Sequence, residues 1–294
     1  MKILVYGSVN IDRTYRVAHV NLPGETQASL GISISAGGKG ANQAAAIAKA
    51  GIPTYFSGKI GPDGIWVKDL LASYGVKTDH LLETGSHTGE ALIQLDDNGQ
   101  NSILLSAGGN GEICEQEIGD VLTHFSPGDW LVCQNEISCL SSLMTMAQEK
   151  GMRICFNPSP FTATLLNLPV QACDLVILNE IEGASMAGIV DADYNRVLNA
   201  LTSKYPTVEF VLTVGKAGAL YGKGSVRAKG EILDLPIVDT TGAGDTFTGY
   251  YLVSRVTKCL DPEESLGMAC KAASLAVNRK GAMVAMPMAQ EVFG

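Results

Sequence analysis

The stretch Asp239-Thr240-Thr241-Gly242-Ala243-Gly244-Asp245-Thr246-Phe247 leads small residues out of a strand end and into a long helical pattern. Backbone N–H groups at a helix N-terminus lack intrahelical partners, and glycines let a ligand come close to them. Gly242, Ala243 and Gly244 are therefore candidates for an anion hole that would receive a phosphoryl group. Asp245 falls in the first turn, beside that hole. A carboxylate there could accept the proton of an alcohol attacking phosphorus, the base role that phosphoryl transfer to a hydroxyl requires. Taken alone, Asp245 has a simpler explanation as a charge that stabilises the helix N-terminus.

A second glycine-rich turn, Gly37-Gly38-Lys39-Gly40-Ala41-Asn42-Gln43, also opens a helical pattern. Gly38 and Gly40 could let backbone N–H groups and the Asn42 amide touch a polyhydroxylated ligand, with Lys39 as a positive donor. It is not a phosphate-binding P-loop, because Lys39 is followed by Gly40 where Ser or Thr is needed. Gly215-Lys216-Ala217-Gly218 fails the same test, with Ala after Lys216. A dinucleotide fingerprint is also missing, since Gly7 runs into Ser8-Val9-Asn10. Other polar residues stand where strands should end: Asn10 and Asp12, Gln134-Asn135-Glu136, Asn157 and Asn179. Each could be a turn former or helix cap. Ligands of open α/β sheets bind at the carboxyl ends of the strands, so collectively these residues converge on one place.

The elements that must position them alternate. Short apolar runs at 3–9, 55–60, 130–133, 153–157, 175–178 and 210–214 are separated by segments with apolar spacings of three and four at 41–50, 65–74, 141–150 and 194–205. Long helices at 243–255 and 262–277 should close the chain. The expected fold is α/β: a doubly wound, mainly parallel sheet with helices on both faces. Two stretches break the rhythm by alternating apolar and polar residues, one around Leu30, Ile32 and Ile34, the other over 90–105 with Asp97-Asn98-Gly99-Gln100 as its turn. They predict a small β-sheet lid, discontinuous in sequence at about 13–35 and 88–106, on a single catalytic domain spanning 1–294. The alternative is that they extend the edge of the main sheet.

Composition agrees with an α/β enzyme. Among 294 residues, 46% are hydrophobic, 6% aromatic, and 33 are glycine. Acids outnumber bases 30 to 21, for a net charge of −9, so nucleic acid is not an expected partner and any phosphate site must be local. The seven cysteines contain no C-x-x-C pair and read as reduced, mostly buried thiols. The four histidines lack metal-ligand spacing to Cys or acids, so zinc is not expected. No apolar stretch approaches the ~18 residues of a membrane span, and the chain is expected to be cytoplasmic.

Taken together, the motifs resemble those of the ribokinase-like (PfkB) carbohydrate kinases, in the family's order and over nearly the whole chain. They are Gly7-Ser8-Val9-Asn10-Ile11-Asp12, Pro23-Gly24-Glu25-Thr26, residues 37–43, Gly108-Gly109-Asn110, Asn157-Pro158-Ser159-Pro160, Asn179-Glu180-Ile181-Glu182, residues 213–218 and residues 239–247. The resemblance implies a sheet with helices on both faces and a β-lid, with Asp245 as the catalytic base and Gly242, Ala243 and Gly244 as the anion hole. It implies that Asn10, Asp12, Gly38, Lys39, Gly40, Asn42 and Glu136 hold a sugar. Asn179, Thr213, Gly215, Lys216, Gly218 and Gly244 match the site for ATP, and Glu182 helps organise Mg2+ and phosphate. Cys270 falls near the expected adenine pocket, where the family often has His or Asn. A monovalent-cation loop for K+ matches Asp239, Thr241, Ala276, Arg279, Gly281 and Ala285, with Ala285 where the family typically has Ser. Members of the family also dimerise through the lid.

The expected function is transfer of the ATP γ-phosphoryl group to the terminal hydroxyl of a pentose, ribose first. Deoxyribose, a ketohexose or a nucleoside is an alternative acceptor. From other classes come a sugar-binding regulator without catalysis and a nicotinamide-dependent oxidoreductase, the latter remote without its fingerprint.

Overall fold

The computed structural model describes residues 1–190 and 193–294. Nine strands form the main sheet: β1 (Ile3–Tyr6), β4 (Thr54–Ile60), β5 (Val76–Glu83), β8 (Trp130–Gln134), β9 (Arg153–Asn157), β10 (Leu175–Asn179), β11 (Glu209–Thr213), β12 (Ala219–Lys223) and β13 (Val226–Gly230). Their order is β13-β12-β11-β10-β9-β8-β1-β4-β5, parallel except for the β11-β12-β13 meander at one edge. The central strands alternate their burial between two faces. In β1, Ile3 and Val5 join one hydrophobic cluster while Leu4 and Tyr6 join the other. Strands buried on both sides read as continuous apolar runs, which is why the sequence pattern located them well.

Helices α1 (Lys39–Lys49), α7 (Ala243–Val256) and α8 (Pro262–Val277) supply one cluster. Helices α3 (Glu115–Leu122), α4 (Leu140–Glu149) and α6 (Tyr194–Lys204) supply the other. Also present are α2 (Ile65–Ser73), α5 (Glu180–Ala187) and α9 (Ala289–Phe293). Among the described residues no helix is long and apolar enough to cross a membrane. All seven cysteines are free thiols, with Cys114 and Cys259 exposed.

The second sheet is separate from the first rather than an extension of its edge. It comprises β2 (Asn10–Arg16), β3 (Gly31–Gly37), β6 (Gly89–Leu95) and β7 (Asn101–Ser106), in the order β3-β2-β6-β7. Its turn is built as expected: Gly99 has φ 82°, and the Asp96 carboxylate accepts from the amides of Asn98 and Gln100, both at 2.9 Å. The sheet starts at Asn10, just after the run 3–9 and before the expected lid boundary at 13, because Asn10 pairs with both Gly37 and Gly89. Register assigns its two faces, since directly paired residues point the same way and neighbours along a strand point apart. Asn10, Asp12, Ser35 and Ile103 share one face; Arg13, Ile32, Ile34, Leu92 and Leu104 share the other.

Candidate active site

Two helices bring the site together. In α1, Asn42 and Gln43 follow Lys39-Gly40-Ala41 near the start of the helix; in α7, Asp245 lies in the first turn. One turn further along, Ala46 faces Gly249 so closely that a Cβ on Gly249 would sit 2.6 Å from that of Ala46. This contact between small residues lets the helices run side by side with both N-termini at the carboxyl edge of the main sheet. Consequently Asp245 Oδ2 accepts from Asn42 Nδ2 and Asp245 Oδ1 from Gln43 Nε2, each at 3.0 Å. Asp245 is only 7% exposed. The simpler reading of Asp245, as a surface charge at a helix end, does not account for a carboxylate gripped by two buried amides from another helix.

The two glycine-rich N-termini turn out to be unlike. At α1, Lys39 N donates to Glu136 Oε2 (3.0 Å), Gly40 N to Ser8 Oγ (3.3 Å) and Ala41 N to Ser8 O (2.9 Å). Those amides have partners within the protein, and the glycines there also have a packing role. A Cβ at Gly40 would lie 2.5 Å from Gly7 C and Ser8 N, and one at Gly38 (φ 90°) would lie 2.7 Å from Ser8 O. At α7 the opposite holds. Gly242 turns the chain at φ 73°, and among the described residues the amides of Gly244 and Asp245 have no acceptor. A Cβ at Gly244 would meet nothing within 4 Å, so the space before those donors is open. Free amides, an open approach and the positive end of a fourteen-residue helix give this N-terminus the chemistry to receive an anion.

Opposite stand the polar groups of β2 and of the segment after β8. Asn10 is buried and its Oδ1 accepts from Asn110 Nδ2 (2.8 Å), while Asn110 also exchanges hydrogen bonds with the backbone of Val9. Asn110 thus fixes the point where the chain passes between the sheets, a role the Gly108-Gly109-Asn110 motif signalled without specifying. Asp12 has no hydrogen-bond partner among the described residues. Burial, reinforced by the Glu136 charge, pushes its carboxyl up to about 6. Glu136 accepts from Ser8 Oγ and the Lys39 amide through Oε2. Asn42 Oδ1 is buried without a partner. An unpaired buried acceptor beside an unpaired carboxylate is costly without a ligand and suited to one rich in hydroxyls.

Further along the sheet edge, Asn179 caps α5, its Oδ1 accepting from Ile181 N (2.9 Å) and Glu182 N (2.8 Å), while Glu182 Oε2 accepts from Asn179 N (3.0 Å). Glu182 is 6% exposed. The 213–218 segment forms a tight turn: Thr213 Oγ1 donates to Leu178 O (3.4 Å), Gly215 and Gly218 have φ 53° and 91°, and Lys216 is exposed. Cys270 departs from expectation. It is 1% exposed inside the core on α8, where burial raises its thiol to about 11, so it does not line a surface of the site.

The six cation-loop positions come from two segments that meet below the anion site. Asp239 Oδ1 accepts from Thr241 N (2.9 Å) and Thr241 Oγ1 (2.6 Å), and Asp239 Oδ2 accepts from Gly281 N (2.9 Å). Burial raises the Asp239 carboxyl, but these hydrogen bonds outweigh it and leave the group below its usual range. The carbonyls of Ala276 and Ala285 both face Arg279, which donates to them through its amide (3.0 Å) and Nη1 (3.5 Å). Lys49, at the far end of α1, steadies the same loop through Met283 O (2.6 Å) and Met286 O (3.3 Å). Among the described residues no cluster of His, Cys, Asp and Glu could hold a metal by itself, so a cation here would rest on backbone carbonyls.

A family model for pfkB carbohydrate kinases matches residues 1–289. The ribokinase of Haemophilus influenzae is 31% identical over 302 aligned residues, which cover 99% of this chain and 97% of that one. The structure of a ribokinase from Cryptococcus neoformans var. grubii serotype A in complex with ADP superposes with a TM-score of 0.86 at 34% identity, covering 99% and 98% of the two chains. Arabidopsis thaliana ribokinase complexed with ribose and ATP gives 0.85 at 28% identity, covering 99% and 97%. With a match that runs through every motif of the site, the chain belongs to the pfkB family of carbohydrate kinases and is an ATP-dependent sugar kinase.

Proposed function

We propose that the chain transfers the γ-phosphoryl group of ATP to the terminal hydroxyl of ribose. The observation that carries this reading is the pairing of a buried, doubly hydrogen-bonded Asp245 with the open amides of Gly244 and Asp245 at the start of α7. Asn10, Asp12, Gly38, Lys39, Asn42 and Glu136 hold the sugar, and the unpaired Asp12 carboxylate and Asn42 Oδ1 are the acceptors for its hydroxyls. As the sugar oxygen bonds to phosphorus and the bond to the ADP oxygen breaks, Asp245 takes the hydroxyl proton and the α7 amides face the charge on the phosphoryl oxygens. Asn179, Glu182 and the 213–218 turn border the nucleotide. Magnesium carried with ATP supplies the positive charge that an acidic chain lacks. The whole chain works as one catalytic unit, with the four-stranded sheet as its lid.

A coupled ADP-release assay over ribose, deoxyribose, ketohexoses and nucleosides, with and without potassium, tests the acceptor. Ribose is expected to give the highest kcat/KM, with ribose 5-phosphate as product and stimulation by potassium at the 239–285 loops. A nucleoside or hexose that outperforms ribose would overturn the assignment, and sugar binding without ADP formation would make the chain a regulator.

We also propose that the lid pairs with that of a second copy. Register places Ile32, Ile34, Leu92 and Leu104 on the face away from Asn10 and Asp12, so these side chains do not cover the sugar. Leu104 is 71% exposed and Ile32 59%. Four aliphatic side chains on one face, with Arg13 between Ile34 and Leu92, form a mixed surface that supports association. Sedimentation should find a dimer for the parent chain and a monomer for Ile34→Glu; a monomeric parent at micromolar concentration would remove the proposal.

A further inference from the structure

We infer that Gln43 is a positioning residue whose buried side-chain amide holds the Asp245 carboxylate in its reactive orientation, and that Gln134 sets the direction of that amide. The inference rests on Asp245 being the base. Gln43 and Gln134 are both fully buried. Gln134, the last residue of β8, donates through Nε2 to Gln43 Oε1 at 2.7 Å. Gln43 in turn donates through Nε2 to Asp245 Oδ1 (3.0 Å) and to Asn157 Oδ1 (3.1 Å) at the end of β9.

The chain of amides has one sense only. If the Gln43 amide turned over, its oxygen would face two acceptors and its NH2 would face the NH2 of Gln134. The direction is therefore built into the surroundings, and Gln43 must present a donor to Asp245. Glycine at position 7 leaves room for the Gln134 side chain, whose Oε1 would lie 2.1 Å from a Cβ there.

Asp245 accepts from two residues of different kinds. Asn42 is 7% exposed, and its buried Oδ1 has no partner, which leaves it free to accept from a sugar hydroxyl. Gln43 is sealed behind, cannot touch a ligand, and is the contact that persists. It is also neutral. A Lys or Arg in its place would fix the carboxylate equally well but would lower its affinity for a proton, which a base must retain. An amide orients the group without placing a second charge beside it.

The test uses Gln43→Met and Gln134→Met in the full chain, each also combined with Asp245→Asn. Turnover, sugar dissociation constants from calorimetry and melting temperature are the readouts. Gln43→Met is expected to lower kcat by about 10–100-fold, the cost of a slightly misplaced reacting group. The sugar Kd should stay within about threefold. Gln134→Met, which frees the Gln43 amide to turn, should produce a smaller kcat loss in the same direction. In the Asp245→Asn background, Gln43→Met should cost less than about twofold, because the carboxylate on which it acts is gone. An equal loss in both backgrounds would show a purely structural role and overturn the inference, as would unchanged turnover in Gln43→Met. If Gln43→Met does not fold, the Gln134→Met pair decides by the same criteria. Near-normal turnover in Asp245→Asn alone would instead remove the base assignment, an outcome separate from the first.

Discussion

Asp245→Asn is expected to lower kcat by about 10²–10⁴-fold, the contribution typical of a general base, while the sugar Kd changes only a few-fold. The magnitude follows from position. Asp245 stands beside the free amides of α7, and both its oxygens are already aimed by Asn42 and Gln43. The substitution is not electrically silent. Both Asp245 oxygens accept from NH2 groups, and an asparagine amide can answer only one of those donors with an oxygen. The other would meet an NH2, leaving a buried donor unpaired at a cost of about 1–3 kcal/mol. The variant should therefore melt several degrees lower even as it keeps its sugar. Single-turnover measurements with ATP and ribose well below the melting range separate the two effects, because the variant is then folded and the remaining loss is chemical. Turnover within tenfold of the parent would show that proton removal is not what Asp245 supplies.

Asp12→Asn should show the reverse combination, a more stable protein that handles its sugar poorly. The Asp12 carboxyl titrates at about 6 because burial and Glu136 both disfavour its charge. The folded state thus holds this proton more tightly than the unfolded chain does. Stability falls as pH rises from about 4 to about 6, and above 6 the full penalty of the buried charge remains. Removing that charge is expected to add on the order of 1–3 kcal/mol near neutral pH. Sugar affinity moves the other way, because the ionised carboxylate is the acceptor for sugar hydroxyls. Losing one or two charge-assisted hydrogen bonds should reduce kcat/KM for ribose by about 10²-fold. In the parent, kcat/KM should decline about tenfold per pH unit below about 6, and this limb should flatten in Asp12→Asn. A parent profile flat between pH 5 and 7 would exclude Asp12 from sugar recognition.

How much of this was legible in the residues alone depended on burial. Strands such as β8 and β9 are apolar on both faces and were located almost to the residue. The edge strand β5 interleaves Lys77, Asp79 and His80 with its apolar positions and escaped notice, as did the β12-β13 hairpin, whose residues are short-spaced and partly exposed. The Asp239–Phe247 stretch marked a candidate base and anion hole because glycines before a helix carry a local physical meaning, although the Ala243 amide is taken by Thr240 O (3.2 Å) and the free donors are Gly244 and Asp245. What could not be read was which of two similar glycine-rich turns keeps its amides free. That is decided by Ser8 and Glu136, distant in sequence, closing one of them. Gln43 and Gln134 were visible as residues without a role, since an amide gains direction only from the neighbours folding brings to it. The burial of Cys270 could not be read for a related reason: helix α8 has an inner and an outer side, and only packing tells which of them a small thiol occupies.

The separation of the second sheet from the first has a further meaning. Asn10 and Asp12 rise from the four-stranded sheet, whereas Asn42 and Asp245 belong to helices packed on the nine-stranded one. A sugar held by all four is a cross-brace between two layers, fastened at several hydroxyls. Water has no such span and can fasten only one layer at a time. In the proposed function, the choice of the sugar over water as acceptor would follow from how the two sheets are set apart, which is fixed where β1 ends and β2 begins.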